Sequence, residues 1–176
     1  MKRKIGIYAG TFDPIHEGHI AFAREALKTC HLDRVIFLPE PSPRYKKDVT
    51  NINTRLQNAK SAIGRSPFYK VHHSSADQFT MHSIMPEIES LYPDASIVLL
   101  VGSDVTLTLH TWENITELTR SVQFVIGLRG NATKNKIVMA MNALSTSLGT
   151  DIRYSIISTQ HSAVSSSQKR LQSTHP

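Results

Sequence analysis

Apolar residues follow two rhythms along this chain. Short apolar-rich runs occur at residues 4–10, 35–38, 96–101, 122–128 and 152–157. They are rich in β-branched and aromatic side chains and bounded by turn formers, so each predicts a buried strand. Residues 69–72 form a weaker candidate. Elsewhere apolar residues recur at helical spacing, as Ile20, Ala23, Ala26 and Leu27 do within 18–29. The same reading predicts helices over 51–63, with Asn51 or Asn53 as cap, and over 80–91, with Pro86 as an expected kink or break. Further helices are predicted over 112–119, 135–148 and 165–172. Residues 40–50 contain two prolines and several charges and read as a loop.

Strands therefore alternate with helices, and the strongest strands show no polar alternation. That pattern belongs to a parallel sheet covered by helices on both faces, an α/β architecture of three layers. Ligands of such sheets bind at the carboxyl ends of the strands. No internal repeat or linker interrupts the pattern. Residues 1–172 are expected to form one domain and 173–176 a frayed polar tail.

Composition narrows this little. A chain of 176 residues, 40% apolar and 19% charged, suits one globular domain. Its single cysteine, Cys30, cannot form an internal disulfide, which makes a reducing cytoplasm the natural setting. No apolar run is long enough to span a bilayer. The formal charge of +6 suits an anionic partner. However, Lys and Arg cluster only at Lys2-Arg3-Lys4 and Arg44-Tyr45-Lys46-Lys47. This lacks the basic stripe with interleaved aromatics of a nucleic-acid surface, which leaves acidic lipid, small phosphates or simply a solvated basic exterior.

The chemistry concentrates where the first strand hands over to the first helix, in Gly10-Thr11-Phe12-Asp13-Pro14-Ile15-His16-Glu17-Gly18-His19. Gly at a strand end admits close backbone approach to a ligand, and free N–H groups at a helix start favour phosphate. His16 and His19, three apart, can turn their rings to one side of the first helical turn. There they can donate hydrogen bonds to phosphate oxygens. Taken singly, His16 would read as a surface residue and His19 as a satisfied core histidine. The GxxxxGK[ST] arrangement is absent, so this is not a Walker-type loop. Near the other end, Val164-Ser165-Ser166-Ser167-Gln168-Lys169-Arg170 places hydroxyls at a predicted helix start with a forked cation one turn on, a second anion-binding device.

The first segment closely resembles the GxFDPxHxGH signature of the nucleotidylyltransferase superfamily, and the second resembles its ISSTxIR motif. The resemblance implies a Rossmann-like fold that binds ATP through Gly10, Thr11, Phe12, His16, Gly18, His19, Ser165, Ser166, Ser167 and Arg170. It gives His16, His19 and Arg170 the catalytic role. Val101-Gly102-Ser103-Asp104 followed by Leu107 to Trp112 resembles the GxD…L…TW segment of bacterial nicotinate-nucleotide adenylyltransferases. In that group Gly102 and Asp104 would serve adenosine, and Trp112, the only tryptophan, would stack on a pyridine ring.

Gln78-Phe79-Thr80 is similar to the SYT element that holds the nicotinate carboxylate, so Phe79 and Thr80 would bind substrate. Lys46 falls in the place of a basic loop over phosphates, and Arg55 on the arginine of the next helix. The resemblance implies AMP transfer from ATP to nicotinate mononucleotide, giving deamido-NAD and pyrophosphate. Mg²⁺ would be carried mainly on the ATP phosphates, with no dedicated protein ligand. The alternatives are a sister transferase acting on phosphopantetheine, nicotinamide mononucleotide or a cytidylyl acceptor, an inactive nucleotide-binding relative, and a nucleic-acid-binding protein on the same fold. Members of the family continue for another helix or two after the second motif, whereas this sequence ends six residues after Arg170. The packing of the last helix and any homo-oligomer built on it are left open.

Overall fold

In a computed structural model, residues 2–43, 48–77 and 79–158 are described. Their strands lie where the apolar-rich runs and the weaker candidate are: β1 (Lys4–Gly10), β2 (Arg34–Pro39), β3 (Tyr69–Val71), β4 (Ser96–Gly102), β5 (Gln123–Gly127) and β6 (Tyr154–Ile157). The helices between them are α1 (Glu17–Thr29), α2 (Ile52–Ile63), α3 (Met81–Leu91), α4 (Ser103–Thr106), α5 (Ile115–Ser121) and α6 (Lys134–Leu148). The predicted helix over 165–172 and the tail 173–176 lie outside the described residues.

All six strands run parallel in the order β3-β2-β1-β4-β5-β6. Strands buried on both faces need apolar side chains pointing both ways, which explains the apolar-rich runs. Ile5, Ile7, Ile36, Leu38, Leu99, Val101, Phe124 and Ile126 point into one core, together with Ile84, Met85 and Ile88 of α3, Leu118 of α5 and Ile137 and Met141 of α6. The alternate strand positions, Tyr8, Val35, Phe37, Val98, Leu100 and Val125, point into the other. There they meet Phe22, Ala23 and Ala26 of α1 and Ala59 of α2. The result is the expected three-layer α/β sandwich.

Close packing across the second core depends on a missing side chain. A Cβ added to Gly127 would lie 2.9–3.0 Å from ring carbons of Phe22. Gly127→Ala is therefore expected to destabilise the fold by about 1–3 kcal/mol through overpacking, read as a lower denaturant midpoint with unchanged slope.

Two local expectations need correction. α3 is not broken at Pro86 but continues across it as one helix, with Ile84, Met85 and Ile88 around it buried in the core. No helix begins at Trp112. Instead α4 follows β4 directly, a 3-10 turn spans Leu109–Thr111, and α5 begins at Ile115. Asn114 stands before α5 in the left-handed region with φ 56°. Threonine hydroxyls explain the shift: Thr108 donates to the Val105 carbonyl at 3.0 Å and Thr111 to the Thr108 carbonyl at 2.8 Å. Such local bonds stabilise short turns in place of a continuous helix. No helix among the described residues is long and apolar enough to cross a membrane.

Candidate active site

Strand order reverses at β1, which pairs with β2 on one side and with β4 on the other. Connections leave such a point in opposite directions and open a crevice at the carboxyl ends. A cleft lies there. Its lining includes Tyr8, Gly10, Thr11, Phe12 and His19 from the first strand and turn, and Gly102, Asp104, Val105 and Thr108 from the end of β4 onward. Glu40, Phe79, Trp112 and Arg129 complete its walls.

The β1–α1 turn is built tightly. Phe12 adopts φ 48°, unusual for a bulky residue and held by packing on both sides. Its ring meets Tyr8 and His19 edge-on, each at 5.1 Å, and a Cβ on Gly10 would come within 3.3 Å of it. His16 is the N-cap of α1 and His19 the third residue of the helix. The His16 amide donates to His19 Nδ1 at 3.1 Å. A ring nitrogen that accepts a hydrogen bond carries no proton, so neutral His19 holds its proton on Nε2. The two imidazoles stack at 3.7 Å with 28° between planes. His19 lines the cleft; His16 and Gly18 lie outside its lining among the described residues. His16 reaches the cleft through its contact with His19.

On the β4 side, Gly102 leaves room for two charged side chains. A Cβ there would meet the Asp104 carboxylate, and Arg129 Nε at 3.3 Å. Arg129 follows β5 and donates to the Tyr8 hydroxyl at 2.6 Å, while its amide donates to Ser103 Oγ at 3.0 Å. Burial pushes the Tyr8 phenol above its ordinary pKa, and Arg129 opposes that rise. Tyr8, Glu40, Val105, Thr108 and Arg129 were not expected from the sequence. A charged residue just past the buried strand β5 was the available signal for Arg129, since ligands gather at strand carboxyl ends.

Across the cleft, Phe79 and Trp112 stand with ring centroids 6.1 Å apart, and both line it. Thr80 caps α3 through a reciprocal bond with Ser83. The Ser83 amide donates to Thr80 Oγ1 and the Thr80 amide to Ser83 Oγ, both at 3.0 Å. Thr80 thus sits beside the cleft, off its lining.

The structure places Arg55, expected at the substrate, outside the lining of the cleft. Its side chain is 1% exposed and its guanidinium donates to four backbone carbonyls. Nε reaches Thr50 at 2.7 Å, one terminal nitrogen reaches Thr11 and Glu40 at 2.8 Å each, and the other reaches Pro41 at 3.0 Å. Those carbonyls come from three separate turns, so Arg55 clamps the cleft walls from behind. Burial lowers its pKa while Asp13 and Glu40 push it back up, and arginine stays charged regardless. Asp13 assists by accepting the Thr50 amide at 3.0 Å. Lys46, Gln78, Ser165, Ser166, Ser167 and Arg170 lie outside the described residues.

Comparison with known proteins agrees with this geometry. The cytidylyltransferase-like family model matches residues 7–170. A protein of Clostridium perfringens (strain SM101 / Type A), named probable nicotinate-nucleotide adenylyltransferase, is 32% identical over 158 residues. That alignment covers 86% of this chain and 78% of the relative. A protein of the same name from Solibacter usitatus (strain Ellin6076) is 33% identical over 135 residues, covering 74% of this chain and 72% of its own. Among solved structures, Plasmodium falciparum nicotinic acid mononucleotide adenylyltransferase complexed with NaAD superimposes with a TM-score of 0.76 at 18% identity. It covers 96% of this chain and 83% of its own, a likeness of fold.

Proposed function

The chain belongs to the cytidylyltransferase-like family, and from that premise we propose that it is an adenylyltransferase that moves AMP from ATP to nicotinate mononucleotide. The products are deamido-NAD and pyrophosphate. One observation carries the reading. A single cleft is lined by His19 of the β1–α1 turn and by the aromatic pair Phe79 and Trp112, so a phosphate-facing donor and a flat ring surface serve one space.

In the proposed reaction a phosphate oxygen of the acceptor attacks the α-phosphorus of ATP. The bond from that phosphorus to the bridging oxygen breaks, and pyrophosphate leaves with the electron pair. The nucleophile is already ionised at neutral pH, so the protein supplies no base. Its task is positioning and neutralising charge. His19 Nε2–H donates to phosphate oxygens, with His16 stacked on the ring and holding Nδ1 through its amide. Gly10, Thr11 and Phe12 shape the turn around the phosphates. Gly102 and Asp104 serve the adenosine side, with Arg129 beside them as a further cation. Ser165, Ser166, Ser167, Arg170 and Lys46 are assigned to the phosphates on their motifs alone.

Mg²⁺ belongs to the same proposal and supplies charge neutralisation on the triphosphate. When bound, the cation would meet the carboxylates of Asp104 and Glu40, which line the cleft. That donor set fits a cation held mainly by phosphate oxygens and water. A cytoplasmic location completes the reading, in keeping with the lone Cys30.

The test is pyrophosphate release with ATP and Mg²⁺, offered nicotinate mononucleotide, nicotinamide mononucleotide or phosphopantetheine. The reading expects release with a pyridine mononucleotide; turnover with phosphopantetheine alone would replace it by the sister activity. Trp112→Ala should raise the acceptor KM about tenfold or more, the effect of losing an aromatic platform. The ATP KM should move little. A variant impaired only in ATP binding would remove Trp112 from the acceptor site.

A further inference from the structure

Tyr8 is buried on β1, at 2% exposure. Its ring meets Phe12 edge-on at 5.1 Å and Phe22 at 5.3 Å, tilts over Phe37 at 5.6 Å and stands 6.0 Å from the His19 ring. A phenol oxygen lies on the axis of its ring, so this packing fixes where the hydroxyl stands. Its oxygen accepts from a terminal nitrogen of Arg129 at 2.6 Å. A phenylalanine would fill the same aromatic surroundings. The hydroxyl adds one thing to them, an acceptor for Arg129.

Arg129 reaches that acceptor from the far side of the switch point. It follows β5, and its amide is held by Ser103 Oγ at 3.0 Å. Its guanidinium passes over Gly102, where an added Cβ would lie 3.3 Å from Nε and would also meet the Asp104 carboxylate. Two groups can therefore direct this cation. A bond to the Asp104 carboxylate would offset its charge. A bond to a neutral hydroxyl fixes the fork and leaves the charge in place. Burial raises the Tyr8 pKa against the pull of Arg129, so the phenol keeps its proton. Tyr8, His19, Gly102, Asp104 and Arg129 all line one cleft. On the reading given above, His19 faces the phosphates and Gly102 with Asp104 faces adenosine. The Tyr8–Arg129 pair touches both groups, and the part of ATP that joins adenosine to the phosphate chain is the α-phosphate.

We infer that Tyr8 is a positioning residue, whose hydroxyl aims the Arg129 guanidinium at the α-phosphate of ATP and away from Asp104. Arg129 touches the substrate and Tyr8 acts through it. The inference rests on ATP lying in the cleft as proposed, and is independent of which acceptor the protein uses.

The experiment is calorimetric titration with ATP and Mg²⁺ of the full chain in four forms: the parent, Tyr8→Phe, Arg129→Met and the double variant. Denaturant unfolding of each is measured alongside. Tyr8→Phe keeps the ring contacts and should weaken ATP binding about tenfold, the effect of losing one hydrogen bond to a charged group. Arg129→Met should weaken it at least as much. In the Arg129→Met background, Tyr8→Phe should change the affinity less than about twofold, because the residue it acts through is gone. A merely structural role would lower affinity by the same factor in both backgrounds. Independent, multiplying factors overturn the inference, and so does parental ATP affinity in either single variant. If Arg129→Met fails to fold, Arg129→Gln takes its place under the same criterion. A parent that binds ATP but transfers AMP to no pyridine mononucleotide refutes the proposed acceptor, and the four affinities still decide the role of Tyr8. A parent that binds no ATP refutes both.

Discussion

His19→Ala is expected to slow adenylyl transfer by about a hundred- to a thousand-fold, the usual cost of deleting one donor aimed at developing charge. A single proton on the His19 ring carries this effect. His19 Nδ1 accepts the His16 amide, so the neutral ring's only N–H is on Nε2. His19 is 5% exposed yet lines the cleft. Within the cleft, water competes poorly for that donor and its bond to a phosphate is strong. The substitution also removes a helix-start bond, worth about 0.5–2 kcal/mol of stability. His19→Gln separates the two effects. A glutamine at this helix position can still accept the His16 amide, so it should recover stability and only part of the rate. Single-turnover measurement of pyrophosphate formation reads the chemical step directly. A near-parental rate in His19→Ala would contradict the role given to this ring.

Arg55→Met should be the most destabilising single change on the cleft side of the sheet, at about 3–5 kcal/mol. One buried cation leaves four carbonyls of three turns without their donor, and each unsatisfied buried group costs about 1–3 kcal/mol before water relieves it. Its bonds reach Thr11 in the phosphate-side turn and Glu40 and Pro41 in the loop after β2. Losing them frees both walls together, so the KM values for ATP and acceptor should rise in parallel. Arg55→Lys should recover only part of the stability, because an ammonium cannot span the fork. Denaturant unfolding with parallel kinetics checks this. Parental stability in Arg55→Met, or a rise confined to one substrate, would return Arg55 to a direct substrate contact.

The central strands were legible because strands buried on both faces are apolar at almost every position. Ser96 to Val101 and Val122 to Leu128 announce themselves in this way, and parallel pairing follows from the helices between them. The phosphate-side turn was legible because its demands are local: a tight strand exit at Gly10, and a helix cap and first turn at His16 and His19. Arg55 was not. A buried guanidinium satisfied by carbonyls distant in sequence looks, on the page, like any helical arginine. Glu40 was hidden for the same reason, since its side chain is tied to the Phe79 amide 39 positions away. The 3-10 turn at Leu109–Thr111 was missed because threonine hydroxyls override the helical spacing of the apolar residues around it.

The most direct test is a crystal structure of the protein with deamido-NAD bound. The account predicts the dinucleotide in the cleft between β1 and β4, a bridging phosphate oxygen within hydrogen-bond distance of His19 Nε2, and the pyridine ring against Trp112. A dinucleotide seated elsewhere on the sheet, or one whose phosphates avoid His19, would contradict it.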